Sequence, residues 1–462
     1  MIGNISLLIC SFGFICIISF YIIKVWPDID VIDLYMVFVL FHFGFYPLVR
    51  GLYFGKDVIF DFRNSSPLVI GIVFVHVLLI LTVIKIIYRY LPNTFMECLK
   101  IKNLLRKWSL INKYILLFIY GTLIIFQIIS YCKYGVKCYI MPDDFARIGK
   151  DLPYWFTSIR TVFATLAFLV CLGLISLLIK SQGYHKYVWL ILTLGFFPVV
   201  TLYGRRFFLA VMIIWAILWL MEKRHDVFSM KYLGVGFLMV LFFFLCSNMF
   251  QTYRDDFQAV GQVNLARLKN PFAAAINFGA TVGNLKARPG TWEFNFLVFD
   301  HQFSKPGMTT DGKINWEGLK SSIPRIFWPD KKFLCIDDIL AGLYQVKPKE
   351  IDIGKNLFGV GQVEFGYFSL IIVPVAILVI IIMLGSLVKM SAQYPTFLWL
   401  FSGNILFFLI NIEENGNEIF FMVRNIGIIL LIFCICLLFK KIIMLYSSRT
   451  WKISQSIGNE SL

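Results

Sequence analysis

Residues 67–113 read PLVIGIVFVHVLLILTVIKIIYRYLPNTFMECLKIKNLLRKWSLINK, and their two halves set the fold class and the orientation together. The first half, 67–87, is a predominantly apolar run of the length a membrane span requires, about 20 residues. The second, 88–113, gathers Arg89, Lys100, Lys102, Arg106, Lys107 and Lys113 against one acid, Glu97. Short basic connections stay in the cytoplasm. A span that delivers such a connection therefore predicts which way the chain threads.

The same test applied outward gives about eleven spans, at 4–23, 31–49, 67–87, 114–131, 159–179, 187–203, 207–221, 232–250, 367–388, 396–412 and 425–439. The spans at 187–203 and 207–221 are short and closely joined, as in a helical hairpin. Only 15% of residues are charged, against roughly 25% in soluble domains, so lipid is the main solvent. The expected fold is all-α and polytopic. The net charge of +16 is spread between apolar runs rather than gathered in a patch. It therefore points to topology and anionic ligands, not to nucleic acid. The first run, from Ile5, lacks a preceding basic residue and a small-residue cleavage site, which reads as a retained span. Most of the ten cysteines fall in apolar runs and serve as small hydrophobes; Cys132 and Cys138 are the pair that spacing would allow to bridge.

Eleven spans place every basic connection on one face: 88–113, the turn with Lys180 and Lys186, the turn with Lys223, Arg224 and Lys231, and the tail with Lys440, Lys441, Arg449 and Lys452. The N-terminus then lies outside. The reading divides the chain into a membrane domain at 1–250, a large outer loop at 251–366, a second membrane part at 367–446 and a cytoplasmic tail at 447–462. A loop so long is a functional element. DDFQAVGQVNLARL (255–268) and KFLCIDDILAGLY (332–344) are candidates for short helices within it.

Cations with a possible chemical role collect at the outer side. Arg205 and Arg206 open the span at 207–221, where a helix N-terminus already favours an anion; interfacial snorkelling is the alternative. Arg254 follows the eighth span; a salt bridge to Asp255 or Asp256 is its structural alternative. Arg424 sits in the apolar run GNEIFFMVRNIGIILL (416–431), where an ionisable group usually faces a cavity or a partner; Glu413, Glu414 and Glu418 are near in sequence. In the outer loop, SSIPRIFWPDKK (321–332) carries Arg325, Lys331 and Lys332 around Trp328, which Pro324 and Pro329 flank. Arginine grips phosphate in bidentate fashion, and a tryptophan face can stack on a sugar; a ligand-free proline turn is the plainer reading. NLFGVGQVEFGYFS (356–369) is rich in glycine, which permits close backbone approach, but matches no phosphate loop.

Of the histidines, His42 and His76 fall in spans, and His185 and His225 on the cytoplasmic side. His301 alone falls in the outer loop, next to Asp300. It is the candidate general base. Glu364 is its rival, as are Asp143 and Asp144, which could instead cap a short helix. HExxH, Walker and GxSxG motifs and Cys/His metal spacings are missing from the sequence, which argues against soluble nucleotide chemistry. No cofactor and no motif-defined metal site is expected, and a metal held by scattered acids stays open.

Three of these places resemble the Wzy-type oligosaccharide repeat-unit polymerases, the family of O-antigen and enterobacterial common antigen polymerases. YGRRFFLAVMIIWAI (203–217) resembles the family's Gly-x-Arg helix start, and IPRIFWPDKK (323–332) its Pro-x-x-x-Trp-Pro-x-Lys/Arg element. VRNIGIIL (423–430) resembles the arginine that opens the last span. Arg254 falls where the family often has a basic residue. The resemblance implies a GT-C-like glycosyltransferase in the bacterial inner membrane that works on the periplasmic face without a cofactor. Its substrates would be undecaprenyl-pyrophosphate-linked glycans. Arg205, Arg206, Arg254, Arg325 and Arg424 would hold pyrophosphate, Trp328 and Lys331 would meet glycan, and His301 or Glu364 would act as base. A polysaccharide chain-length regulator is a possible partner. Two alternatives stay open: an O-antigen ligase that passes the glycan to lipid A core, and a lipid-linked glycan transporter.

Overall fold

A computed structural model describes residues 2–26, 28–53, 66–108, 110–134, 154–203, 291–304, 309–323, 336–344, 355–410 and 419–439, with a few single positions between them. The described chain is helical apart from one isolated bridge between Asp30 and Lys100. In order the helices are α1 (Ile2–Val25), α2 (Val31–Leu40), a π-helical turn (Phe41–Phe45), α3 (Tyr46–Tyr53), α4 (Pro67–Arg89), α5 (Asn93–Cys98), α6 (Ile101–Trp108), α7 (Lys113–Tyr134), α8 (Tyr154–Lys180) and α9 (Tyr184–Tyr203). They continue with α10 (Thr291–Ser304), α11 (Lys313–Ser322), α12 (Ile336–Tyr344), α13 (Leu357–Phe365), α14 (Ser369–Met390), α15 (Pro395–Ile410) and α16 (Ile419–Phe439). The span read at 207–221, that at 232–250 apart from residues 245, 248 and 249, the stretch 255–268, Asp143, Asp144 and the tail lie outside the described residues.

Six helices among the described residues are long and apolar enough to cross a membrane, and two shorter apolar ones, Thr165–Leu178 and Pro395–Leu409, accompany them. The architecture is that of a multi-pass membrane protein. Burial sorts the long helices: two thirds of the Val31–Val49 window is inside the bundle, but under a quarter of Ile5–Val25, Lys113–Lys133 and Ile419–Phe439. The peripheral helices expose rows such as Ile5, Ile9, Phe12 and Phe20. That much bare apolar surface suits lipid and not water.

Helix starts follow from local chemistry. Asp30 caps α2 by accepting from the Asp33 N–H, while the Asp33 carboxylate accepts from the Asp30 N–H, a reciprocal capping box. Pro67 opens α4 where no intrahelical N–H is needed. Lys85 on α4 then reaches both carboxylates, Asp30 at 3.0 Å and Asp33 at 2.6 Å, and Tyr21 donates to Asp33 at 2.7 Å. This half-buried cluster ties α1, α2 and α4 at one end of the bundle.

That end also collects the two basic connections that fall within the described residues, 88–113 and the turn after Lys180. Residues 29–31 pair with 99–101 through Ile101 N–H to Ile29 O and Val31 N–H to Leu99 O, and Lys180 donates to the Arg106 carbonyl. Phe95 of α5 packs on Gly385 near the end of α14. The 22 residues of α14 rise about 33 Å at 1.5 Å each, close to the hydrocarbon thickness of about 30 Å. The start of α14 is therefore the opposite end of the bundle, where α10–α13 gather around a second apolar cluster. That cluster contains Phe294, Leu297, Val298, Ile314, Leu340, Tyr344 and Val363.

The boundary between outer loop and membrane differs from the expectation. The apolar stretch begins at Leu357, ten residues before the expected span start, and α13 is buried along its length. A Cβ at Gly359 would lie 2.6 Å from the Phe294 ring, and one at Gly361 would collide with Val373. Glycine thus lets α13 lie directly against α10 and α14. Gly366, at φ +54, breaks the chain so that α14 folds back alongside it. Within KFLCIDDILAGLY, Ile336–Tyr344 form a helix, α12, packed into the second cluster. Cys132 is an exposed free thiol; Cys138 lies outside the described residues.

Close helix crossings in lipid depend on small residues. A Cβ at Gly403 of α15 would run into Leu169 of α8, beside the Trp399 indole N–H that donates to the Leu169 carbonyl. Gly403→Ala is expected to cost about 1–3 kcal/mol through overpacking, read as a lower unfolding midpoint in detergent. Gly71→Ala, with nothing within 4 Å, is the control and should not lower it.

Candidate functional site

The end of the bundle opposite the basic connections holds those sequence-singled residues that fall within the described chain. His301 lies in the last turn of α10, half-buried, with its ring 4.6 Å from that of Tyr344 on α12. Its imidazole is thus steered by a neighbouring helix while part of it stays accessible. This combination suits a group that exchanges protons with a bound molecule.

Glu364 has a different setting. It is buried on α13, where Oε1 accepts from the Thr310 hydroxyl at 2.7 Å and the Ile314 N–H at 2.6 Å, and Oε2 accepts from the Asn315 amide at 2.9 Å. Ile314 is in the first turn of α11, so the carboxylate caps a helix from a distance, at the end where a negative charge is favoured. The turn before it uses Asp311 and Gly312 at positive φ. Glu364 therefore fixes α11 to α13, with its lone pairs committed to that task.

α11 in turn supports the SSIPRIFWPDKK segment. Buried Glu317 pairs with Lys320 and accepts from the Leu334 N–H at 2.9 Å, tying the return of that segment to the helix from which it departs. Within the segment Trp328 is 41% exposed, enough for a face to be offered to a ligand. Gly318 of α11 lies against Phe420, where a Cβ would stand 2.9 Å from the ring. Phe420 and Arg424 are four residues apart on α16, hence on one face. The contact brings α11, the helix that precedes the Trp-Pro element, to within one turn of the arginine at the head of the last span.

Arg424 itself is half-buried. Its guanidinium stacks 5.0 Å from the Phe421 ring centre and donates twice to Asn425 Oδ1, at 3.2 and 3.0 Å. Among the described residues no carboxylate pairs with it. Glu413, Glu414 and Glu418 lie outside them, as do Arg205, Arg206, Arg254, Arg325, Lys331 and Lys332. If Arg424 serves an anionic ligand, Arg424→Ala should cut activity about a hundredfold, the scale of one lost donor to developing charge, and Arg424→Lys should restore only part of it. Activity close to wild type with Lys, at matched membrane abundance, would reduce Arg424 to a cation packed on Phe421.

Sequence reasoning passed over a buried polar chain. His76, in the middle of α4 and 5% exposed, lies 2.9 Å through Nε2 from Ser369 Oγ. Ser369 donates to Gln362 Oε1 at 2.6 Å, Gln362 Nε2 donates to Gln302 Oε1 at 2.6 Å, and Gln302 Nε2 donates back to the Gln362 carbonyl at 2.8 Å. The available signal was polarity inside apolar runs, His76 in 67–87 and Gln362 within GVGQV. No spacing rule links residues 293 positions apart.

No groups of three or more His, Cys, Asp or Glu that could hold a metal occur among the described residues. No protein-family model, curated protein or solved structure matches this chain. Fold and site together define an all-α, multi-pass membrane protein with a helical cap at one end.

Proposed function

We propose that the chain is a glycan polymerase of the Wzy type, with about eleven spans and a GT-C-like arrangement, joining undecaprenyl-pyrophosphate-linked repeat units on the periplasmic face of a bacterial inner membrane. The observation that carries the reading is the seat of α11 on Phe420. It sets the support of the Trp-Pro element beside Arg424, two features that the sequence resemblance links and that lie about a hundred residues apart. His301 shares the same end of the bundle, and the basic connection 88–113 lies at the other.

In this reading His301 takes the proton from a hydroxyl of the incoming repeat unit. The freed oxygen attacks the anomeric carbon of the donor glycan from the side opposite its phosphate. The glycosidic bond forms as the carbon–oxygen bond to pyrophosphate breaks, with inversion at that carbon. Arginines stabilise the negative charge that collects on the leaving undecaprenyl pyrophosphate. The lipid pyrophosphate is the activating group, so no nucleotide sugar is required. Trp328 offers a stacking face to the glycan, and Arg325 and Lys331 add cations beside it.

Two experiments test this. Purified protein in liposomes, given the lipid-linked repeat unit alone, should yield a ladder of longer lipid-linked glycans; unchanged substrate would contradict the proposal. Reporter fusions after residues 105, 225 and 455 should read cytoplasm and one near 310 periplasm. An outer-facing 88–113 loop would reverse the orientation and remove the proposed site from its substrate. The ligase reading shares His301 and the same donor, and differs in needing lipid A core as acceptor.

A further inference from the structure

His76 sits about nine residues below the start of α4 among apolar neighbours, where a polar ring needs a reason. The hydrogen-bond directions define its state. Ser369 spends its proton on Gln362 Oε1, so its oxygen is an acceptor towards His76, and His76 must present Nε2–H. Nδ1 is buried with no hydrogen-bond partner among the described residues, so a proton there would be left unsatisfied. Gln362 cannot be turned round: Gln302 is fixed by its donation to the Gln362 backbone carbonyl, so a turned Gln362 would set its amide oxygen against Gln302 Oε1. Each link orients the next in a single direction.

The chain ends one residue from His301. Gln302 and Gln362 exchange two hydrogen bonds, clamping the last turn of α10 to α13. The same histidine ring meets Phe299 edge-on, with centroids 5.0 Å apart. Phe299 and Gln302 are three residues apart and share a face of α10. His76 therefore holds that face twice, directly at Phe299 and through three side chains at Gln302, while His301 meets Tyr344 on α12.

We infer that His76 is a positioning residue: a neutral, Nε2-protonated imidazole within the bundle that sets the orientation of the outer histidine through Ser369, Gln362 and Gln302. This rests on the reading of His301 as the base, but its structural half can be tested without it. With five histidines in the chain, ring-labelled protein in detergent gives a small histidine spectrum, and His301→Ala identifies the His301 signal.

His76→Asn and Ser369→Ala break the chain, and Gln302→Ala breaks it at the half-exposed end with little risk to folding. All three should shift the His301 ring resonance and its titration midpoint. His76→Gln keeps an amide N–H near the Nε2 position and should leave both close to wild type. Polymer formation at matched abundance should fall about tenfold, the equivalent of one net hydrogen bond, in the first three and recover in His76→Gln. A His301 signal unmoved by all three chain-breaking variants would overturn the inference. Full polymer from His301→Ala would instead overturn the role of His301, while the spectra still decide whether His76 positions it.

Discussion

His301→Ala is expected to slow glycan transfer by roughly 10²–10⁴-fold, the usual contribution of a positioned general base, with donor affinity little changed. In the proposed reaction the base acts on the acceptor hydroxyl during transfer, whereas the donor is held by its pyrophosphate. The loss should therefore fall on turnover and not on binding. Its ring is half-buried against Tyr344, and removal of the imidazole takes little packing away, so membrane abundance should hold. Polymer length in cells and single-turnover transfer in liposomes measure the effect. Full-length polymer at matched abundance would take His301 out of the chemistry.

Glu364→Ala should act on stability. Three donors lose their acceptor: the buried Ile314 N–H and the part-buried Thr310 hydroxyl and Asn315 amide. An unsatisfied buried donor costs about 1–3 kcal/mol, and relaxation will let one or two find other partners. The cap should be weakened by about 3 kcal/mol, seen as faster proteolysis within α11 and a lower unfolding midpoint. Glu364→Gln separates this from a catalytic role. Its amide oxygen can keep the Thr310 and Ile314 bonds, and Asn315 can turn its own oxygen towards the new N–H₂. Stability and polymer should then both stay near wild type. A stable Gln variant without turnover would make Glu364 the base.

The membrane spans were legible because a span is a property of composition over a fixed length. The runs at 4–23, 67–87, 114–131 and 425–439 each coincide with a helix of the structure. The basic connections were legible for the same reason: charge counts survive without knowledge of contacts. α13 was not, because GVGQVEF carries two glycines, a glutamine and a glutamate in seven residues, which reads as loop. Its burial depends on Phe294 and Val373 lying against those glycines and on partners for Gln362 and Glu364 supplied by other helices. The capping role of Glu364 was hidden likewise, since Ile314 is fifty residues away. Arg424 stood out as a charge in an apolar run, but its nearness to α11 arises from one contact between Gly318 and Phe420. The Lys85 cluster with Asp30 and Asp33 left a trace in the sequence, charges at the ends of two apolar runs. Only the fold shows that they meet.

Polymerase activity is tested most directly by the surface polysaccharide of a strain lacking this chain, separated on a gel and compared with the same strain carrying it again. A polymerase role predicts lipid A core bearing a single repeat unit in the deletion and a full ladder on restoration, because units are still made, flipped and ligated but not joined. Core with no repeat unit at all would contradict it, and would assign the chain to ligation or to transport across the membrane.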